Sequence, residues 1–399
     1  MKLKIKKFIV HPLSIPFTKS VNTTWSKRKG TTIFLIEIIT NNNVKGYGEM
    51  ISFFNHEICK KTLENMLENL TNFNLTEMNK IQKISSYDGG WMRTGQLNDI
   101  ASAAWASIET AMYDALTKEI GMPLQSFFGG EITNEFKVSV NLDVGSISSM
   151  CSKAKQLKKK GYKSLFIKVA KNNKNLEQDL KMLVSIREAV GDGISFHLDV
   201  NGAWTTQTAL KAIRFLEKEN FNIYCLEQPV MEIQSLRYLR EKSKFPIGVN
   251  ELLTTPQKIF ECAKKEVADI FVLDIFECGG LRNLWYISKF LNDNGYSVCC
   301  RAHGGSNLHY LTSLKILSTT DSNNITNAHQ IYDFEHKNDL LIWKTKLNEG
   351  RLVVKSFNEV GNNINQTLLK KFKNNFVNGK KFEIYKNINK KNIPNFPKY

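Results

Sequence analysis

The sequence predicts an α/β protein: a parallel barrel preceded by a smaller α+β lobe. Three observations carry this. Short β-branched or apolar runs recur at 138–142, 164–169, 194–200, 222–226, 246–249, 270–273, 297–300 and 325–331. Stretches with helical period, such as 175–190 and 206–219, lie between them. The flanks on either side follow different patterns. Eight such runs separated by helices predict a barrel of the (β/α)8 type. Periodicity alone does not separate eight units from seven or from a doubly wound sheet.

The elements then follow in order. Residues 1–60 read as an antiparallel meander with a strand at 31–40 and a turn at 41–45. Residues 58–128 are strongly helical and stop at Phe127-Phe128-Gly129-Gly130, where glycine suits a helix end. After residue 343 come a strand candidate at 351–354 and a lysine-rich tail, helical around 366–372. The predicted division is 1–130 for the α+β lobe, 131–345 for the barrel, and 346–399 for a segment that returns to the first lobe and ends in a basic tail.

The chain has 399 residues, 42% hydrophobic and 23% charged, which excludes disordered, collagen-like and disulfide-scaffold classes. No apolar run approaches the roughly 18 residues of a membrane span, so no membrane association is expected. Met1 to Lys7 lacks an apolar signal core, so the expected setting is the cytoplasm. The net charge is +17, from 55 Lys+Arg against 38 Asp+Glu. Lys, Asn and Ile are abundant throughout and Arg is scarce, which marks compositional drift. No basic-aromatic recognition motif accompanies the charge, so no nucleic-acid partner is expected. The seven cysteines have no Cys-x-x-Cys spacing and read as buried thiols.

The informative pattern is where the acids fall. Asp199, Glu227, Glu251 and Asp274 each close an apolar strand, and successive ones are one β/α unit apart. In a barrel those strand ends converge on one mouth, where active sites are built. Carboxylates pointed at one another repel and take up protons unless a cation holds them together. All-oxygen ligands with room for water suit Mg²⁺. The alternative is that each acid caps the helix after it. That serves for one acid, and poorly for acids in register on consecutive strands.

With these residues in place, the chain resembles the enolase superfamily, in its mandelate racemase/muconate lactonising subgroup. The resemblance runs from about residue 5 to residue 355. It rests on Gly46-Tyr47-Gly48-Glu49, Ile108-Glu109-Thr110-Ala111-Met112-Tyr113-Asp114-Ala115-Leu116, Gly121-Met122-Pro123-Leu124, Phe128-Gly129-Gly130, Asp199-Val200-Asn201-Gly202-Ala203-Trp204, Leu226-Glu227-Gln228-Pro229 and Gly279-Gly280-Leu281. It implies a capping domain over a modified (β/α)7β TIM-type barrel. It implies one Mg²⁺ per site on Asp199, Glu227 and Glu251, with Asn250 a competitor for the third place. The chemistry implied is removal of the proton α to a carboxylate, with a Lys or His base beside the metal.

The bases decide the reaction. Racemases of this kind carry Lys-x-Lys on the second barrel strand. Here Lys168 matches the first lysine, the substrate-carboxylate contact, and Ala170 stands at the second. Lys171 is one residue out of phase and faces away on a regular strand unless a bulge turns it. Relatives that racemise amino-acid derivatives carry a Lys on the sixth strand, where this chain has Asp274. That matches the Asp of a His–Asp dyad; ungapped counting from Gly295 puts Arg301 at its partner's place, while His303, two residues on with the same strand parity, is assigned as the base. Arg301, two residues earlier, is assigned to a substrate anion, with Asn201 a further substrate contact. The electrophilic Glu usual on the eighth strand is replaced by Tyr332, assigned to substrate, or by Asp333. Thr18, Lys19, Trp25 and His56 are candidates for the part of the cap that covers the site.

One base on one face favours elimination over racemisation. The expected reaction is dehydration of an acid sugar to a 2-keto-3-deoxy acid. A 2-hydroxy-acid racemase or epimerase is the alternative; a cycloisomerase and a non-catalytic anion-binding relative lie further off. The expected partner is a small carboxylate, and a homo-oligomer is expected.

Overall fold

The structure, a computed structural model, describes residues 3–22, 27–52, 55–88, 95–170, 175–301, 304–321, 323–328, 340–341, 346–354 and 363–382. The first lobe opens with β1 (Ile5–Asn22), β2 (Lys27–Thr40) and β3 (Lys45–Ile51), an antiparallel sheet in that order. Asn43 takes a left-handed φ of 61° in the β2–β3 turn, a conformation that asparagine tolerates. Three helices follow: α1 (His56–Glu68), α2 (Met78–Asp88) and α3 (Gly95–Ile120). α3 lies directly on β3. A Cβ on Gly46 would sit 2.0 Å from the Ala111 carbonyl oxygen, and one on Gly48 1.9 Å from that of Ser107. Strand alternation turns Glu49 to the opposite face, toward the barrel.

The barrel alternates β4 (Glu135–Leu142), α4 (Ile147–Lys159), β5 (Ser164–Lys168), α5 (Leu176–Val190), β6 (Ser195–Asp199), α6 (Thr206–Lys218), β7 (Ile223–Glu227) and α7 (Ile233–Lys242). It continues through β8 (Ile247–Val249), α8 (Pro256–Lys264), β9 (Ile270–Leu273), α9 (Leu281–Asp293), β10 (Ser297–Cys300), α10 (Asn307–Leu317) and β11 (Ile325–Ala328). Parallel pairing runs from β4 to β11, and β11 pairs back onto β4 to close the ring. Each of the eight predicted barrel strands is represented, the eighth over Ile325–Ala328. Further along, β12 (Lys346–Asn348) and β13 (Arg351–Val353) form a hairpin whose second strand adds antiparallel to the start of β4. α11 (Gln366–Val377) then packs on the first lobe: Phe376 meets Phe34 edge-on at 6.3 Å, and Asn375 donates to the Ser14 carbonyl at 3.1 Å.

Two polar clamps seat the lobes on one another. Glu109 of α3 accepts from Nε of Arg282, at the start of α9, at 2.5 Å. Burial raises the Glu109 carboxyl, and Arg282 opposes the shift. Ser102 donates to the Phe276 carbonyl. The described cysteines are free and, apart from half-buried Cys151, buried, as the spacing predicted. Among the described residues no helix is long and apolar enough to cross a membrane.

Within the first lobe, Glu37 lies between His11 Nε2 at 2.9 Å and Lys45 Nζ at 2.7 Å. The His11 hydrogen bond, against burial and with help from Lys45, lowers its carboxyl to about 2. A depressed folded value stabilises above the ordinary carboxylate range, and that contribution drains as pH falls toward about 2. His11→Ala is expected to cost about 1–2 kcal/mol at neutral pH. Urea titrations at several pH values should show the gap to wild type closing as acid protonates Glu37. A gap that stays constant into acid would refute the assignment.

Candidate active site

The strand register brings the predicted residues to one level. Lys168 pairs with Asp199 across β5–β6, Asp199 with Glu227 across β6–β7, and Glu227 with Gly248 across β7–β8. Gly248 leaves room there, since a Cβ would lie 2.6 Å from Cys225 Sγ. Glu251 follows β8, Asp274 follows β9 and Arg301 follows β10. These acids do not cap the helices after them. Thr205 caps α6 and Thr255 caps α8, while Glu232 and Gly280 precede α7 and α9 without a side-chain cap bond.

Lys168 forms an ion pair with Asp199 Oδ2 and donates to Asn201 Oδ1 at 2.9 Å. Asn201 stands between two carboxylates: its Nδ2 donates to Glu251 Oε1 at 2.6 Å and to Asp199 Oδ2 at 3.2 Å. Its φ of 50°, followed by Gly202 at 68°, turns the chain back so that this amide reaches both acids. His197, inside the barrel, hydrogen-bonds Glu227 Oε2 at 2.7 Å and packs edge-on against Phe166 at 4.8 Å.

The electrostatics follow from burial and crowding. Burial raises Asp199, opposed by Lys168 and reinforced by Glu227. Burial and then the charges of Asp199 and Glu227 push the Glu251 carboxyl up to about 7. Burial would raise Glu227 as well, but the His197 hydrogen bond, with the charges of Lys168 and Arg301, brings it below the ordinary carboxylate range. Glu251 Oε2 is buried with no hydrogen-bond partner among the described residues.

Among the described residues no three His, Cys, Asp or Glu side chains already stand in metal-binding geometry. The three predicted ligands feel one another's charge, with the Lys168 ammonium and the Asn201 amide between them. Even so, the donor set fits a hard divalent cation: three buried carboxylates, mutually repelling, one with an unused oxygen. Asn250 fits the third place less well. Its Nδ2 donates to the Val272 carbonyl at 3.0 Å, and its Oδ1 accepts from Arg301 Nη1 at 2.7 Å.

Arg301 is more engaged than a free anion receptor. Besides Asn250, it forms an ion pair with Glu277, an acid the sequence reading did not single out. Burial would lower the guanidinium pKa, but Glu277, Asp274, Glu227 and Glu251 together hold it up. Asp274 is fully buried, and its Oδ1 meets His309 Nε2 at 2.8 Å. His309 lies on α10 and was also missed. The only signal for it was an acid-binding residue type one turn into a helix beginning beside the mouth.

At the second-lysine position β5 has already ended. Ala170 is buried and left-handed, with φ 61°, and its N–H donates to Asp179 Oδ2 at 2.7 Å. The regular-strand premise behind the placement of Lys171 therefore fails at residue 170. Lys171, His303, Tyr332, Asp333 and Trp25 lie outside the described residues, as do the side chains of Thr18 and Lys19. His56 bonds Ser52 Oγ at 2.6 Å and meets Phe376 edge-on at 6.2 Å, contacts that fix the start of α1.

Comparison with known proteins identifies the family. Residues 149–362 match the family model "Enolase C-terminal domain-like", and residues 4–129 match "Mandelate racemase / muconate lactonizing enzyme, N-terminal domain". A hydrophobic dipeptide epimerase of Enterococcus faecalis is 28% identical over 73% of this chain and 80% of its own. An arabinonate dehydratase of Saccharolobus solfataricus is 25% identical over 71% of this chain and 77% of its own. Further relatives are named as racemases or epimerases of amino-acid derivatives and as muconate cycloisomerases. Among solved structures, an enolase of Pseudomonas fluorescens with bound magnesium, potassium and tartrate superposes with a TM-score of 0.82 at 15% identity, covering 94% of this chain and 93% of its own. The chain belongs to the mandelate racemase/muconate lactonizing enzyme family of the enolase superfamily, and is an enzyme of its proton-abstracting kind.

Proposed function

We propose that this enzyme dehydrates an acid sugar to a 2-keto-3-deoxy acid, with Mg²⁺ held by Asp199, Glu227 and Glu251. The observation that carries the reading is the pairing of a buried Asp274 on the sixth strand with Ala170 at the second-lysine position. Those are the two places where a racemase of amino-acid derivatives would present lysine bases on opposite faces.

When bound, the cation would supply the positive charge that stabilises the carboxylate end of the substrate as the α-proton leaves. Lys168 adds a second cation there, its ammonium oriented by Asp199 and Asn201. Arg301, pinned by Asn250 and Glu277, lends its charge to the same mouth without needing to move. His303 takes the α-proton on one face. The C–O bond at C3 then breaks, the departing hydroxide collects the proton from His303 and leaves as water, and the enol becomes the 2-keto acid. Atoms and charge balance with one base, so no second face has to be served.

A screen of mono- and diacid sugars with Mg²⁺, read as 2-keto acid by semicarbazide absorbance, tests this. We expect product from at least one acid sugar, loss of product in EDTA, and a fall of about 10²–10⁴-fold in His303→Asn. Epimerisation is the second reading, favoured by the names of several relatives. Exchange of the α-proton in D₂O without loss of water would decide for it.

A further inference from the structure

Behind Asp274, a buried polar chain runs from the barrel into the cap. His309 is 6% exposed, Ser306 1% and Glu49 5%. Glu49 Oε1 accepts from the Ser306 N–H at 2.6 Å, and its Oε2 accepts from the Ser306 hydroxyl. The Ser306 hydroxyl in turn caps α10 by accepting from the Leu308 N–H at 3.1 Å. Gly305 allows the approach, because a Cβ there would lie 2.8 Å from Glu49 Oε1 and 3.0 Å from His309 Cβ. Glu49 of β3 and Asp274 after β9 thus flank one imidazole from two lobes of the molecule.

We propose that His309 is a positioning residue for Asp274, and that Glu49 of the cap holds His309 in turn, so that seating of the cap and orientation of the barrel acid are one event. The proposal rests on the reading of Asp274 as part of the reacting machinery. An ionised carboxylate only accepts, so the shared hydrogen at 2.8 Å belongs to His309 Nε2. A fully buried carboxylate also needs a charged partner to remain ionised. His309 is suited to supply that charge. Burial would lower its pKa, but Asp274 chiefly, then Glu49 of β3 and Glu277 of the loop after β9, raise it. Without the imidazole, Asp274 Oδ1 keeps the Phe276 N–H at 3.3 Å and loses the 2.8 Å hydrogen bond from His309. A carboxylate that loses such a partner is no longer held in one orientation toward a base beside it.

Two measurements on the full-length protein test this. In the first, histidine-labelled protein is titrated by NMR without substrate, the His309 signal being the one lost in His309→Gln. We expect it to titrate above the ordinary histidine value, to fall toward that value in Asp274→Asn, and to fall by less in Glu49→Gln. A His309 titration that neither variant moves overturns the proposal; if Asp274→Asn fails to fold, Glu49→Gln decides. In the second, the acid sugar found by the screen is turned over by His309→Gln. We expect kcat to fall about 10–100-fold with KM within about threefold, as when an orienting partner behind a reacting group is removed. An unchanged kcat overturns the proposal while leaving the dehydratase reading in place. If no acid sugar is turned over, that reading fails and the titration still decides for or against the His309–Asp274 pair.

Discussion

Lys168→Met is expected to reduce proton abstraction by about 10²–10³-fold, the usual loss when one aimed donor to a developing anion is removed. The variant should still fold, because the ammonium donates to Asp199 and Asn201 and carries no part of the apolar core. Its loss has two consequences. The substrate carboxylate would no longer meet a fixed cation. Asp199, already raised by burial, would lose its strongest opposing charge and rise further. Lys168→Arg should not restore the rate, since a planar fork cannot replace a compact ammonium between those two oxygens. The measurement is α-proton exchange of the acid sugar in D₂O, followed by NMR beside a thermal melt. A variant that melts like wild type and exchanges at the wild-type rate would remove Lys168 from the site.

That Lys168 can be named at all reflects how a barrel writes itself into sequence. A parallel strand covered on both faces reads as a short apolar run, and the residue that ends it faces the mouth. Asp199, Glu227, Glu251 and Asp274 were legible for that reason. β4 was less so: it begins at Glu135, three residues ahead of the apolar run, because Glu135 to Lys137 pair with β13 from far along the chain. His309 was hidden differently. Every residue of α10 is buried, between barrel and cap, so the helix has no polar stripe to show which side chains turn inward. Glu277 lies in a loop, where no period exists to read. The left-handed Ala170 has no local signal either, because the hydrogen bond from its N–H goes to Asp179 on the next helix.

Gly48→Ala is expected to destabilise the protein strongly. Gly48 has no positive φ, so backbone strain is not its reason. The reason is contact: the new carbon would lie 1.9 Å from the Ser107 carbonyl oxygen and 2.9 Å from the Ala111 nitrogen, both backbone atoms of α3. No rotamer relieves that, so α3 must lift from β3 and open a gap along the lobe. Overpacking that forces such shifts costs about 1–3 kcal/mol, and more when the obstacle cannot rotate away. The displacement also carries Glu49, one residue on, away from Ser306, so loss of activity should accompany loss of stability. Gly121→Ala separates the two causes. Gly121 has φ 72°, and a methyl there would meet nothing within 4 Å, so it reports conformational strain alone, about 1–2 kcal/mol. Urea unfolding of both variants should place Gly48→Ala well below Gly121→Ala. Equal losses would mean that β3 and α3 do not meet as closely as this and that Gly-Tyr-Gly-Glu is kept for its turn propensity.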